Sequence, residues 1–140
     1  MRSLTFAVTL VIATAFSAKA QTDEVKTQLA VLKLAALSGG WEETHNDKIS
    51  KLNNRESDSF TFNLYKGNSY KIVSVCDNDC SDLDLVLYDE NQNEISRDNS
   101  RDSIPIVEVT PAWSGEFKLK VVMFSCSANP CLYGISILGK

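Results

Sequence analysis

Residues 76–89 read CDNDCSDLDLVLYD. From Leu83 onward a leucine occupies every second position, which is the period of a β-strand with one buried face. Before that strand, Cys76 and Cys80 bracket an Asp-Asn-Asp sequence that favours a turn. The stretch predicts a strand entered from a loop, and it leaves three uses for the two cysteines: a disulfide, a zinc site or redox chemistry.

A period of two recurs through most of the chain. It predicts six or seven short strands separated by turn signals, at 60–64, 70–76, 83–88, 94–96, 104–109, 117–123 and 132–138. The second of these strands, YKIVSVC, is apolar on much of both faces. Short strands at this spacing predict a mainly β fold, an antiparallel β-sandwich.

A helical pattern precedes the strands at 23–38. Apolar residues from Val25 to Ala36 recur at the spacing of a buried helix face, and a Gly-Gly pair at 39–40 ends the helix. Because its apolar surface is wider than one stripe, we expect this helix to pack on the sheet or rim of the same domain, with partner binding as the alternative. Residues 41–57 are polar and poorly patterned.

The first twenty residues have the plan of a secretory signal peptide. A basic start at Arg2 is followed by an uncharged apolar run at 4–16, which is too short for a membrane span. Ala18-Lys19-Ala20 then has the small-x-small form that signal peptidase cleaves, so we predict cleavage after Ala20 and export to the periplasm or the medium. The predicted domains are a signal peptide at 1–20, a helix with a polar connector at 21–56, and a β-sandwich at 57–140.

The charge balance limits the partners. The formal net charge is −4 at pH 7, and removal of the signal peptide takes away two further basic residues and no acid. An acidic field disfavours nucleic acid and anionic lipid as partners. Downstream of the signal peptide the sequence shows no apolar run of membrane-spanning length. We predict a monomer whose ligand is protein or glycan.

Four cysteines in an exported chain favour disulfides over zinc or redox catalysis. Two pairings are open. Chain entropy favours a cross-link such as Cys76 with Cys126, at about 4 kcal/mol against about 2 kcal/mol for a local bridge. Geometry favours Cys76 with Cys80 and Cys126 with Cys131, because a hairpin return brings the members of each pair together. We predict the local pairing.

Four segments in order carry a resemblance to a known family: FTFNLYKGNSYKIVSV, DLDLVLYDENQNEI, PIVEVTPAWSGEFKLKVV and YGISIL. Over residues 57–138 the chain resembles the bacterial pre-peptidase C-terminal (PPC) domain, in a stand-alone secreted form without a peptidase. The residues that match the family pattern are Asp82, Asp84, Leu85, Leu87, Tyr88 and Asp89 in one element and Thr110, Pro111, Ser114, Gly115 and Phe117 in another. The resemblance implies a jelly-roll-type sandwich and a non-catalytic accessory role, and some relatives in the family bind calcium or collagen.

Calcium is the cofactor that the acidic residues suggest. Asp77, Asp79, Asp82 and Asp84 place hard oxygen ligands within eight residues, although the spacing is not that of an EF-hand. The alternative is structural: the first two aspartates form the turn, and the last two bond to backbone amides. With calcium set aside, the sequence predicts no cofactor.

Catalytic residues are sparse. His45 is the single histidine, and the sequence has no GxSxG, HExxH or P-loop motif. We therefore predict a binding module that is not an enzyme, with His45 in an exposed loop. The alternative is a small secreted hydrolase that combines His45 with Asp82 and Asp84, which share a strand face.

Two features are candidates for ligand contact. Trp113 falls in the predicted turn at 111–115, where we expect it to be at least partly exposed, and tryptophan is a common binding anchor. The alternative is a ring folded back over the end of the sandwich. The stapled loops, with the aspartates between and after them, form the candidate functional surface.

Overall fold

The structure is a computed structural model that describes the backbone of residues 5–140 and the side chains from residue 17 onward. Most of the predicted signal peptide lies outside the described side chains. One helix, α1, spans Thr5–Leu37 and so begins well before the predicted residue 23. The cause is the sequence from residue 5 to residue 38, which no glycine or proline interrupts. Over the described residues, no helix carries an apolar stretch long enough to cross a membrane.

The helix ends at the predicted glycine pair. Gly40 has a φ of 80°, a left-handed conformation that glycine adopts without the cost of a Cβ clash. This turn lets the backbone amide of Trp41 donate to the carbonyl of Ala36 at 3.2 Å. The chain then reverses direction and enters the first strand.

Nine strands follow the helix. They are β1 (Glu42–Glu43), β2 (Lys48–Leu52), β3 (Ser57–Leu64), β4 (Tyr70–Cys76), β5 (Cys80–Tyr88), β6 (Glu94–Asp98), β7 (Ile106–Val109), β8 (Gly115–Cys126) and β9 (Cys131–Gly139). In the first sheet β9 pairs with β1 and β2 on one side and with β4 on the other, and β4 pairs in turn with β7. The second sheet has the order β3-β8-β5-β6. The two antiparallel sheets pack together and confirm the predicted β-sandwich.

The segment at 41–57 differs from the polar connector predicted there, because β1 and β2 lie within it. β2 pairs antiparallel with β9 over five residues, so the first sheet extends upstream of residue 57. Of the β2 side chains only Leu52 is buried. An edge strand with mostly solvated side chains gives no apolar alternation, which is the signal from which strands are predicted.

The core lies between the inner faces of the sheets. The leucines that alternate along β5 point into it, beside the alternating apolar residues of β8, the neighbouring strand of the second sheet. The fully buried members include Leu83, Leu85, Leu87, Leu119, Val121 and Met123. Each such side chain contributes roughly 1.5–3 kcal/mol through burial alone.

A second, smaller core lies on the outer face of the first sheet, where α1 docks. Val25 and Leu29 of α1 are buried against Val75 of β4. At Gly134 of β9, a Cβ would lie 2.6 Å from Val25 Cγ1, so glycine allows the helix to approach the sheet this closely. This docking confirms that α1 packs on the domain's own sheet. It also explains why YKIVSVC is apolar on both faces.

We expect Leu29→Ala to lower the free energy of unfolding by about 2–4 kcal/mol, since it removes buried apolar surface and leaves a cavity under the helix. Leu34→Ala is the matched control: Leu34 is on the same helix but 71% exposed, so its loss should cost less than about 0.5 kcal/mol. Urea unfolding followed by far-UV circular dichroism measures both. Equal effects of the two substitutions would contradict the docked helix.

Candidate functional site

The two disulfides lie at one end of the sandwich. Cys76 pairs with Cys80 across the loop between β4 and β5, with Cα atoms 5.9 Å apart. Cys126 pairs with Cys131 across the loop between β8 and β9, with Cα atoms 6.0 Å apart. The local pairing is therefore confirmed. Because Cys80 lies opposite Cys126 in the β5–β8 register, the bridges are neighbours, and we call this end, with loops 77–79 and 127–130, the stapled end.

Hydrogen bonds also join the two stapled loops. The backbone amide of Ser127 donates to the carbonyl of Asp79 at 2.8 Å. Asn54, from the loop between β2 and β3, accepts from the amide of Cys126 at 2.8 Å, and its own amide donates to the Asn129 side chain at 2.7 Å. The stapled end is therefore held by covalent and polar links together.

Asp77 connects the stapled end to its surroundings. Its side chain is almost fully buried, and its carboxylate accepts from the backbone amides of Leu132 at 2.8 Å and Asp79 at 3.2 Å. Gln21 of α1 donates to the same carboxylate at 3.1 Å, and Gln28 donates to the carbonyl of Cys76 at 2.9 Å. Asp77 is thus the acceptor that holds two loops and the helix together.

Asp82 and Asp84 occupy the second sheet next to the stapled end. The Oδ1 atoms of both carboxylates are buried and have no hydrogen-bond partner in the described part of the chain. Burial, the negative charge of Asp82 and that of Asp98 raise the pKa of Asp84 to about 6, although Arg97 opposes the shift. The backbone partners predicted for these two carboxylates are absent from the described part of the chain, and the pair favours a proton or a cation.

The four predicted calcium ligands do not form one set. Asp77 is turned into the loop, where its oxygens accept hydrogen bonds, as the structural alternative expects. Within residues 17–140 no three His, Cys, Asp or Glu side chains are placed to hold one metal ion. Calcium binding stays a prediction, and Asp82 with Asp84 is the part of the predicted set in which buried carboxylate oxygens lack a hydrogen-bond partner among the described residues.

Asp89 shows the same structural use of an aspartate in the motif that resembles the PPC family. It is buried, and it accepts from the backbone amides of Asn91 and Asn93 at 2.9 Å each. Burial opposes ionisation of this group, but these hydrogen bonds outweigh it and lower the pKa of Asp89. The residue shapes the turn between β5 and β6.

His45 lies at the other end of the sandwich from Asp82 and Asp84. It is half-buried rather than exposed, in the loop between β1 and β2, and its Nε2 donates to the carbonyl of Asn63 at 2.9 Å. Asn63 pairs with Glu116 and Asp84 with Val122, so the two sites are six residues apart along β8, or about 20 Å. The structure does not bring the three residues of the hydrolase alternative together.

That other end carries exposed aromatic side chains, and we call it the aromatic end, defined by Trp41, Tyr65 and Trp113. Trp113 is 39% exposed, as predicted, and its ring stacks on Phe117 with centroids 6.2 Å apart. Tyr65 is 57% exposed in the turn that joins β3 to β4. Trp41, just beyond the end of α1, is half-buried at the same end.

Two side-chain hydrogen bonds hold the loops of the aromatic end against each other. The hydroxyls of Ser69 and Thr110 are 2.9 Å apart, and the amide of Lys66 donates to Ser114 Oγ at 2.8 Å. Residues that form these turns therefore also hold neighbouring turns against each other. The grouping of the two tryptophans was missed from the sequence, since they are 72 positions apart and flank different turns.

The fold and the two bridges define this chain as a disulfide-stapled antiparallel β-sandwich with a docked N-terminal helix. Neither a scan against models of protein families nor a search of curated proteins returned a match to the chain. The resemblance to the PPC domain thus stays a prediction.

We expect Asp77→Ala to lower the free energy of unfolding by about 2–3 kcal/mol, because the backbone amides of Asp79 and Leu132 lose their acceptor. Asp79→Ala is the matched control, since Asp79 enters these contacts through its backbone and its change should cost less than about 1 kcal/mol. Chemical denaturation of both variants with the disulfides intact measures the difference. If Asp77→Ala unfolded at the same denaturant concentration as wild type, Asp77 would not be the acceptor that holds the loops together.

Asp84 makes stability depend on pH. Because its pKa is raised from 3.8 to about 6 on folding, the folded state binds the proton more tightly than the unfolded chain. This contribution is fully present below about pH 4 and is lost as the pH rises through about 6. We therefore expect Asp84→Asn to be more stable than wild type above pH 6, by about 1 kcal/mol given the partial solvation of the group, and to match it near pH 4.

Urea unfolding in chelator-treated buffer between pH 4 and pH 8 checks this expectation. Asp98→Asn is the control with the opposite sign. Burial opposes ionisation of Asp98, but hydrogen bonds from the amides of Ile106 and Ser100 outweigh it and lower the pKa of this carboxyl. Its replacement should therefore cost stability at neutral pH. If Asp84→Asn were less stable than wild type at pH 7.5, the negative charge of Asp84 would stabilise the folded state, which contradicts this expectation.

Proposed function

We propose that this chain is an exported, non-catalytic binding module, accessory to a protein or glycan outside the cytoplasm, and that its contact surface is the aromatic end. The observation that carries the proposal is the state of Trp113. Its indole is 39% exposed and yet stacked on Phe117, so a large apolar group is presented to solvent in a fixed orientation. Rigid aromatic residues on loops are the usual anchors of binding surfaces.

Rigidity supports the same proposal. The loops of the aromatic end are joined by the Ser69–Thr110 and Lys66–Ser114 hydrogen bonds, and the opposite end is closed by two disulfides. A surface that is already ordered loses little conformational entropy when a ligand binds. The acidic stapled end is a weaker candidate, because Asp77 is buried and already hydrogen-bonded.

The cysteine content supports export. Disulfides form and persist in the periplasm or outside the cell, and both bridges here are short-range ones that need an oxidising compartment to form. The predicted signal peptide at 1–20 agrees with that location. The hydrolase alternative gains no support from the placement of His45 about 20 Å along β8 from the position of Asp84.

We expect the protein, purified after export and immobilised, to capture a component of the envelope or secretome fraction in a manner that depends on Trp113. Trp113→Ala should weaken the captured complex about tenfold or more, as loss of a central tryptophan does at binding surfaces. Surface plasmon resonance with the recovered component gives the affinities.

Phe124→Ala is the matched control. Phe124 is an aromatic residue with 40% exposure, but it lies toward the stapled end beneath Arg55. The proposal fails if Phe124→Ala weakens binding as much as Trp113→Ala does, or if neither has an effect. Turnover of peptide, ester or glycoside substrates that His45→Ala abolishes would replace it with the hydrolase alternative.

A further inference from the structure

A cavity of about 460 Å³ opens at the aromatic end beside Trp41. It lies where the segment after α1 meets the start of β4, the end of β7 and the end of the chain, and its lining includes Trp41, Ser69, Glu108, Thr110 and Lys140. The volume falls within the range of sites that hold small ligands, or single residues of larger ones. Neither the sequence patterns nor the proposed role of Trp113 accounts for it.

The indole of Trp41 forms a fixed wall of this cavity. A Cβ at residue 39 would lie 3.1 Å from Trp41 Cδ1, so Gly39 lets the ring pack against the end of the helix. Lys71 Nζ lies 4.7 Å from the ring centroid and Lys140 Nζ lies 5.6 Å from it. Ammonium groups over a π face favour one orientation of the ring. The ring is thus positioned before any ligand arrives.

Polar groups of both hydrogen-bonding kinds surround the indole. The Glu108 side chain is 64% exposed and offers carboxylate oxygens as acceptors, while Lys71 balances its charge at 3.3 Å. Lys140 Nζ donates to the carbonyl of Gly39 at 2.9 Å and keeps further N–H donors. Ser69 and Thr110 share one hydrogen bond, which leaves one hydroxyl proton and free lone pairs for a ligand.

We propose that this cavity binds a neutral saccharide residue, with its ring laid against the indole of Trp41 and its hydroxyls on Glu108, Thr110 and Lys140. A sugar ring has C–H faces that suit an aromatic surface and a rim of hydroxyls that donate and accept, which matches the mixed lining. A charged ligand of either sign would meet a like charge, because Glu108 and Lys140 both line the cavity. Lys140 is exposed, and its Nζ lies 5.6 Å from the ring centroid, within reach of the hydroxyls of a sugar on the indole.

This inference rests on the proposed binding function and names the ligand class of its surface. The chain has two tryptophans, so Trp41→Phe leaves Trp113 as the sole tryptophan. The probes are neutral oligosaccharides of glucose, mannose, galactose and N-acetylglucosamine, added to the full exported protein. We expect one of them to shift the emission of the wild-type protein and to reduce its quenching by acrylamide, and we expect no such change in Trp41→Phe.

Affinity measurements complete the test. Isothermal titration should show that Trp41→Ala weakens saccharide binding about tenfold or more, and that Glu108→Gln, which keeps the fold and the shape, weakens it several-fold. Thermal unfolding confirms that each variant is folded. The inference is overturned if no probe shifts the wild-type emission, or if Trp41→Ala and Glu108→Gln bind as wild type does. Capture that depends on Trp113 without any saccharide binding would overturn this inference and leave the proposed function standing.

Discussion

Burial of β4 and β9, the central strands of the first sheet, on both of their faces is the constraint on which the rest of the structure depends. β4 and β9 contribute to the sandwich core on one side and lie under α1 on the other, so neither face of these strands is free to meet water. Gly134 sets how close the helix comes, and Val25 and Leu29 fill the space above it. Once the helix is fixed in this position, Gln21 and Gln28 reach the loop between β4 and β5. The order of the stapled end therefore follows from hydrophobic packing some distance away.

The two ends of the sandwich use their polar residues differently. At the stapled end, carboxylates and amides are consumed in internal hydrogen bonds, and Asp77 accepts from three groups at once. At the aromatic end, the polar contacts run between loops and leave the large side chains at the surface, with Tyr65 and Trp113 more than a third exposed. One end is thus closed on itself and the other is open to a ligand, although the sequence places its more conspicuous motif, CDNDC, at the closed end.

Most of the fold could be predicted from the sequence because β3, β5 and β8 carry apolar residues at every second position and turn residues separate the other strands. The helix face from Val25 to Ala36 indicated a docked helix. The local disulfides followed from hairpin geometry against the trend of chain entropy. The strands β1 and β2 were not predicted from the sequence, because their side chains are mostly solvated and their stability comes from backbone pairing with β9.

The candidate site was less predictable, because it depends on distances across the fold. Charge count suggested four equivalent aspartates, yet packing makes Asp77 a buried acceptor and leaves Asp82 and Asp84 with unpaired oxygens. The meeting of Trp41 with Glu108 and Lys140 depends on where β7 and β9 end. No local pattern carries that information.

The loop that holds His45 has a consequence for the behaviour of the protein at high concentration. β3 is an eight-residue strand at the edge of the second sheet, and it pairs with β8 on one side. An unpaired strand edge of this length can pair with a strand of another chain and so extend the sheet. Here His45 donates to the carbonyl of Asn63 and packs edge-on against Phe62, and the ammonium of Lys48 sits 4.4 Å above the ring of Phe60. His45, from the loop between β1 and β2, and Lys48 of β2 thus cover the open edge of β3, which disfavours edge-to-edge association of the folded protein.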